Sequence, residues 1–151
     1  ATVASGAYRE ELNRQWPGLE IYSVASPKLV PLVEKGTFLG PLAHTALTEY
    51  AAPLLALGVE CIILGCTHYP FLKDELEKIV AGRAKILDPA REVAQKAADL
   101  ARELSLPEGE GNTHYYTTGS PEGFSELAEK LLGKAPQLVS HVCLGGNYEH
   151  Y

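Results

Sequence analysis

Methionine is absent from all 151 residues, tryptophan occurs once, and phenylalanine and cysteine three times each. Three thiols are too few, and odd in number, for a closed disulfide framework, and they fit reduced cysteines in a cytosol. No apolar run approaches the roughly 18–20 residues of a membrane span, and the opening ATVASGAYRE lacks the apolar core of a secretory signal. A membrane is therefore not an expected partner. Positive charge is also short: 13 Lys and Arg stand against 19 Asp and Glu, a net charge of −6. Phosphate recognition needs clustered cations, so nucleic acid is not expected either. With no methionine and a helical pattern starting almost at once, the chain reads equally as one whose initiator was trimmed or as a piece of a longer one.

What is present is an ordinary globular composition, 46% hydrophobic and 21% charged, laid out as alternating helical and strand patterns. Helices are expected over 5–15, from Ser26-Pro27 to about Val33, over 41–57, 70–80, from about 90 to Leu104, and from Ser120-Pro121 onward. Ser before Pro reads as an N-cap followed by the first helical position. Val93, Ala97, Leu100 and Leu104 form an amphipathic stripe. Strands are expected at 20–25 (EIYSVA), 59–64, 84–87, 114–117 and 138–144, with a loose tail GGNYEHY. Repeated βα units imply an α/β fold: a parallel sheet with helices on both faces.

Chemistry concentrates in VECIILGCTHYPF, residues 59–71. An apolar strand opens at Gly65 into Cys66, Thr67 and His68, and Pro70 then starts a helix. Strand ends of this kind are where α/β proteins place ligands. The first amides of the helix are expected to point back at residues 66–68, favouring a substrate carboxylate and the Cys66 thiolate. His68 could hold or deliver a proton near neutral pH. Composition alone leaves Cys66 open between a reactive thiol and a small buried hydrophobe. Cys61 and Cys143, inside strands, read as buried hydrophobes. Zinc on Cys61, Cys66 and His68 would lack a fourth ligand at sensible spacing. His44, His114, His141 and His150 belong to no constellation and read as surface or satisfied core residues.

The stretch GCTHYPFL closely resembles the second cysteine motif of the glutamate racemases, in the cofactor-independent Asp/Glu racemase superfamily. ATVASGAY, LVPLVEKG, ILDPAREVA and YYTTGSPEGFSELAEKLLG resemble further segments of that family, in its order and spacing, from Ala1 to about Leu144. The resemblance implies a two-domain, pseudo-symmetric fold. In it, residues 1–87 belong to the second domain and 88–151 return to complete the first. It implies an isomerase that interconverts L- and D-glutamate with two cysteines on opposite faces of the α-carbon, without pyridoxal phosphate or metal.

By that resemblance Cys66 is the second catalytic cysteine. His68 and Glu34 assist proton transfer around it, and Thr67 and Thr2 contact substrate. The first catalytic cysteine, in an Ala-Cys-Asn-Thr stretch, has no counterpart here, because neither Cys61 nor Cys143 has such neighbours. The expected protein is cytoplasmic, acts on glutamate as its small-molecule partner, supplies D-glutamate for peptidoglycan and thus cell shape, and is a homodimer at full length. This chain alone is expected to be inactive. Competing expectations are an aspartate racemase, a single-cysteine relative, or a truncated binding domain that turns nothing over.

Overall fold

The computed structural model describes residues 2–107, 109 and 111–144, with Thr2 by its backbone only. The tail from Gly145, with His150, lies outside the described residues, as does the side chain of Thr2. Two compact units are present, one of residues 1–33 and 37–89, the other of 34–36 and 90 onward.

The first unit contains α1 (Thr2–Ser5), α2 (Ala7–Gln15), α3 (Leu29–Glu34, whose last residue is grouped with the second unit), α4 (Pro41–Ala56), β1 (Cys61–Ile63), α5 (Lys73–Val80) and β2 (Lys85–Leu87). β1 and β2 run parallel, Ile62 opposite Ile86. The core is aliphatic: Leu29 and Val33 from α3, Ala43, Leu47 and Ala51 from α4, and Leu76 and Val80 from α5, with Leu64 and Leu72. The α4 residues recur at i, i+4 and i+8, so one stripe of that helix meets α5. Burying a Leu or Val of this kind contributes about 1.5–3 kcal/mol each.

Glu75 on α5 is the exception in this core, only 4% exposed. Its Oε1 lies 2.8 Å from His44 Nδ1 on α4, its Oε2 accepts from Lys78 Nζ at 2.8 Å, and the Gly40 amide also bonds it. Gly40, the N-cap of α4, has no side chain to cap the helix. A carboxylate from another helix bonds the amide of this N-cap residue, with the sign the helix dipole favours.

The second unit contains α6 (Ala90–Glu103), β3 (His114–Thr117), α7 (Pro121–Leu132) and β4 (Leu138–His141). β3 and β4 are parallel, with His114 opposite Leu138. Ser120 caps α7 by accepting from the Gly123 amide at 3.1 Å, with Pro121 in the first turn, as its sequence implies. The Tyr115 and Phe124 rings stand 5.5 Å apart and join β3 to α7.

The chain is thus α/β with parallel strands. Local readings change at three places in the first unit besides the Cys66 loop. The helix expected over 5–15 breaks at Gly6, whose φ of 71° is left-handed, giving α1 and α2. α3 begins at Leu29, after a turn in which the Leu29 amide bonds the Ser26 carbonyl at 3.2 Å. Residues 20–25 form no strand, because among the described residues no ladder reaches them. The apolar side of the amphipathic helix α6 is exposed, Val93 66% and Leu100 47%, as is Leu104 just beyond its end at 61%.

Candidate active site

The loop between β1 and α5 is shaped from both ends. Gly58 closes α4 with φ 74°, a left-handed value that glycine adopts without strain, and the chain turns directly into β1. β1 delivers Leu64 into the core and leaves Gly65 under the Tyr8 ring of α2, where an added Cβ would meet the ring at 3.5 Å. Cys66 and His68 follow, both half-buried, with Thr67 exposed between them. Cys66 Sγ lies 3.9 Å from His68 Nδ1, a long sulfur–nitrogen hydrogen-bond distance. A thiol and an imidazole at that spacing are close enough to exchange a proton.

The helix after the loop is not the one its sequence implies. Residues Tyr69–Leu72 form a tight 3₁₀ turn before α5 begins at Lys73. The Tyr69 amide bonds the Cys66 carbonyl at 3.1 Å and the Phe71 amide the His68 carbonyl at 3.3 Å. These donors close the loop on itself instead of pointing at an anion, because Pro70 has no N–H and the i→i+3 turn tightens around it. Among the side chains of this loop, Thr67 carries the exposed hydroxyl.

Two tyrosines that sequence reasoning left unassigned hold the loop. Tyr8 lies against Gly65. Tyr69 hydrogen-bonds Ser26, and burial pushes its phenol above the usual tyrosine range. The segment carrying Ser26 is in turn anchored to α4: Lys28 Nζ donates to both Glu49 oxygens at 2.8 and 2.7 Å, and the Lys28 amide bonds Tyr50 Oη at 3.4 Å. Tyr69 lies inside the quoted motif, but its partner is 43 positions upstream, counting from Ser26 to Tyr69. No local pattern announces such a pair.

Of the other candidates, Glu34 closes α3, is exposed and is grouped with the second unit. Thr2 starts α1, its side chain outside the described residues. Cys61 and Cys143 are exposed, contrary to the reading of both as buried hydrophobes. β1 has a single neighbouring strand among the described residues, and Cys143, expected inside a strand over 138–144, lies beyond the end of β4 at His141. Partial burial raises the Cys61 thiol, against the pull of Lys85 on β2, so Cys61 is not activated. Cys143 Sγ lies 4.0 Å from His141 Nδ1. Among the described residues no group of three or more His, Cys, Asp and Glu is placed to hold a metal ion, so the zinc alternative is not assembled. His44 pairs with Glu75, and His114 bonds Ser140 Oγ at 3.0 Å and Tyr116 Oη at 3.2 Å.

Comparison with known proteins decides the relationship. The glutamate racemase of Desulforudis audaxviator is 37% identical over 95% of this chain and 56% of its own length. Among solved structures, the Francisella tularensis glutamate racemase in complex with D-glutamate superposes with a TM-score of 0.84 at 28% identity, over 95% of this chain and 55% of that one. The chain is homologous to part of the glutamate racemases. The Thermus thermophilus glutamate racemase, in complex with β-chloro-D-alanine, agrees, with a TM-score of 0.78 and 39% identity over 95% of this chain and 54% of that one. No protein-family model matches. The chain spans about half the length of the glutamate racemases it matches, so it carries the Cys66 loop but not their whole length. Among the described residues no helix is long and apolar enough to cross a membrane.

Proposed function

We propose that residues 1–151 supply one proton-transferring side of a glutamate racemase, with Cys66 as the acid–base group. The observation that carries this reading is the Cys66–His68 pair, 3.9 Å apart at a strand end, in a chain homologous to glutamate racemases over nearly its whole length. The substrate is glutamate, the amino acid whose D-form the Francisella relative binds.

Racemisation removes the α-proton and returns one to the opposite face of a planar carbanion, so it needs one acid–base group on each side. Cys66 as thiolate takes the proton from one enantiomer and as thiol delivers it to the other. His68 holds the proton that the thiol exchanges, and Glu34 assists on the same side. Thr67 and Thr2 contact the substrate's carboxylate or amino group. The opposite face belongs to the portion of the relatives' length that this chain does not span. Neither pyridoxal phosphate nor metal takes part. The protein works in the cytoplasm as a homodimer and provides D-glutamate for peptidoglycan.

The test is a chimera in which residues 1–151 replace the matching part of the Desulforudis audaxviator relative. The chimera should racemise glutamate and exchange its α-proton with deuterated solvent. Cys66→Ala should lower turnover by about 10²–10⁴-fold or more, because one face loses its proton donor. Cys61→Ala and Cys143→Ala should leave turnover near the parent value. Near-parent racemisation by Cys66→Ala would refute the assignment.

A further inference from the structure

The hydrogen bonds inside the Cys66 loop fix its shape but not its place. The Tyr69 amide returns to the Cys66 carbonyl at 3.1 Å and the Phe71 amide to the His68 carbonyl at 3.3 Å, so both join the loop to itself. Where the thiol sits depends on what ties the loop to other segments. Leu64 before it and Leu72 after it are buried, and between them the Tyr69 side chain reaches back to the Ser26 hydroxyl. Ser26 is itself held. Its carbonyl accepts from the amide of Leu29, a core residue at the start of α3. Two positions further on from Ser26, Lys28 meets α4 through Tyr50 and Glu49. Tyr69 therefore holds Cys66 by its backbone and, by its phenol, a turn fastened to α3 and α4.

We infer that Tyr69 is a positioning residue for the Cys66 thiol, acting through the bond between its phenol and Ser26. The inference rests on the reading of Cys66 as the acid–base group. Proton transfer to and from carbon depends on placement, and a displacement of about 1 Å can cost about a hundredfold in rate. The phenol suits a fixed clamp and not a proton carrier. Burial raises it above the usual tyrosine range; the Ser26 bond opposes this, and the nearby Cys66 and Tyr50 add to it. The phenol thus keeps its proton through neutral pH, because burial disfavours the phenolate. It holds one hydrogen-bond geometry throughout the reaction.

The experiment uses the chimera for turnover and the 151-residue chain for amide hydrogen exchange read by mass spectrometry. Tyr69→Phe keeps the ring and removes the phenol, Ser26→Ala removes its partner, and Ser26→Thr keeps a hydroxyl there. Tyr69→Phe and Ser26→Ala should each lower kcat about tenfold with KM within about twofold, as an interaction realised in the transition state requires. The double variant should be no slower than either single one, because the two groups act as a pair. Ser26→Thr should recover most of kcat, and the pH profile of kcat should keep its shape in Tyr69→Phe. In the chain alone, exchange across 66–71 should quicken about tenfold in Tyr69→Phe and Ser26→Ala, with α5 unchanged. Losses that multiply in the double variant would overturn the inference. So would loss of one limb of the pH profile, which would make Tyr69 itself a proton carrier, or equal quickening across α5, which would make its role general stability. Parent turnover in Tyr69→Phe, with Cys66→Ala inactive, would refute this inference alone. Parent turnover in Cys66→Ala would instead refute the acid–base reading, and the inference with it.

Discussion

At the scale of single residues, the role proposed for His68 and the pairing of His44 are separable by mutation. If His68 and Glu34 assist only the Cys66 side, the two directions of racemisation are affected unequally. In the chimera, His68→Asn and Glu34→Gln should change kcat for D- and L-glutamate by different factors. KM must change to compensate, because the equilibrium between enantiomers is fixed. Equal losses in both directions would mark a structural role. His44, by contrast, belongs to stability through Glu75. Lys78, then His44, hold the Glu75 carboxyl below the usual carboxylate range. A depressed folded-state pKa means that its stabilisation is fully present above the unfolded carboxylate value and is lost as pH falls through the folded one. Glu75→Gln should therefore lower the thermal midpoint at neutral pH and flatten its decline on the acid side, as calorimetry across pH 2–7 would record. A parallel acid decline in both proteins would count against the pairing.

At the scale of elements, the strands that carry the site are framed by two left-handed positions. Gly58, φ 74°, ends α4 before β1, and an added Cβ there would meet nothing within 4 Å. The cost of Gly58→Ala is then conformational alone, about 1–2 kcal/mol, measurable as a lower urea midpoint with an unchanged slope. Ala81 ends α5 before β2 with φ 49°, and it has a Cβ. Ala81→Gly should stabilise, by about 1 kcal/mol at most, because relief of strain is partly offset by a more flexible unfolded chain. A neutral or destabilising Ala81→Gly would show that the strain is absent. The stop at Gly58 could be read in the sequence, where glycine follows a helical run, as could the start of α7 at Ser120-Pro121, whose cap is complete within four residues. Ala81 could not, because alanine ordinarily continues a helix.

At the scale of the whole molecule, racemisation by residues 1–151 alone is not expected. Inversion needs acid–base groups on both faces of the carbanion, and the role proposed for Cys66 and His68 covers one. A coupled assay for D-glutamate on the isolated chain should read background. Mixing it with the complementary portion of the Desulforudis audaxviator relative should restore turnover if the two portions assemble. Activity from the chain alone would require a second base among these residues. The exposed stripe of α6 and the open edge of β1 belong to the same scale, since each is an element whose partner surface is not among the described residues.

The sequence by itself determined the kinds of element and their order, the α/β class, and the Gly65–Pro70 loop with its thiol and imidazole. Periodicity, capping and turn chemistry act over a few residues, and that information is local. The tertiary structure alone decided which elements find partners. Residues 20–25 have strand composition yet form no ladder, because a ladder needs a neighbouring edge. Cys61, Cys143 and the α6 stripe have buried-residue patterns yet face outward, because burial needs a surface to pack against. Glu75 looks like any charged helix residue in the sequence. It meets the N-terminus of α4 because α4 and α5 pack side by side and bring its carboxylate to the Gly40 amide and the His44 ring.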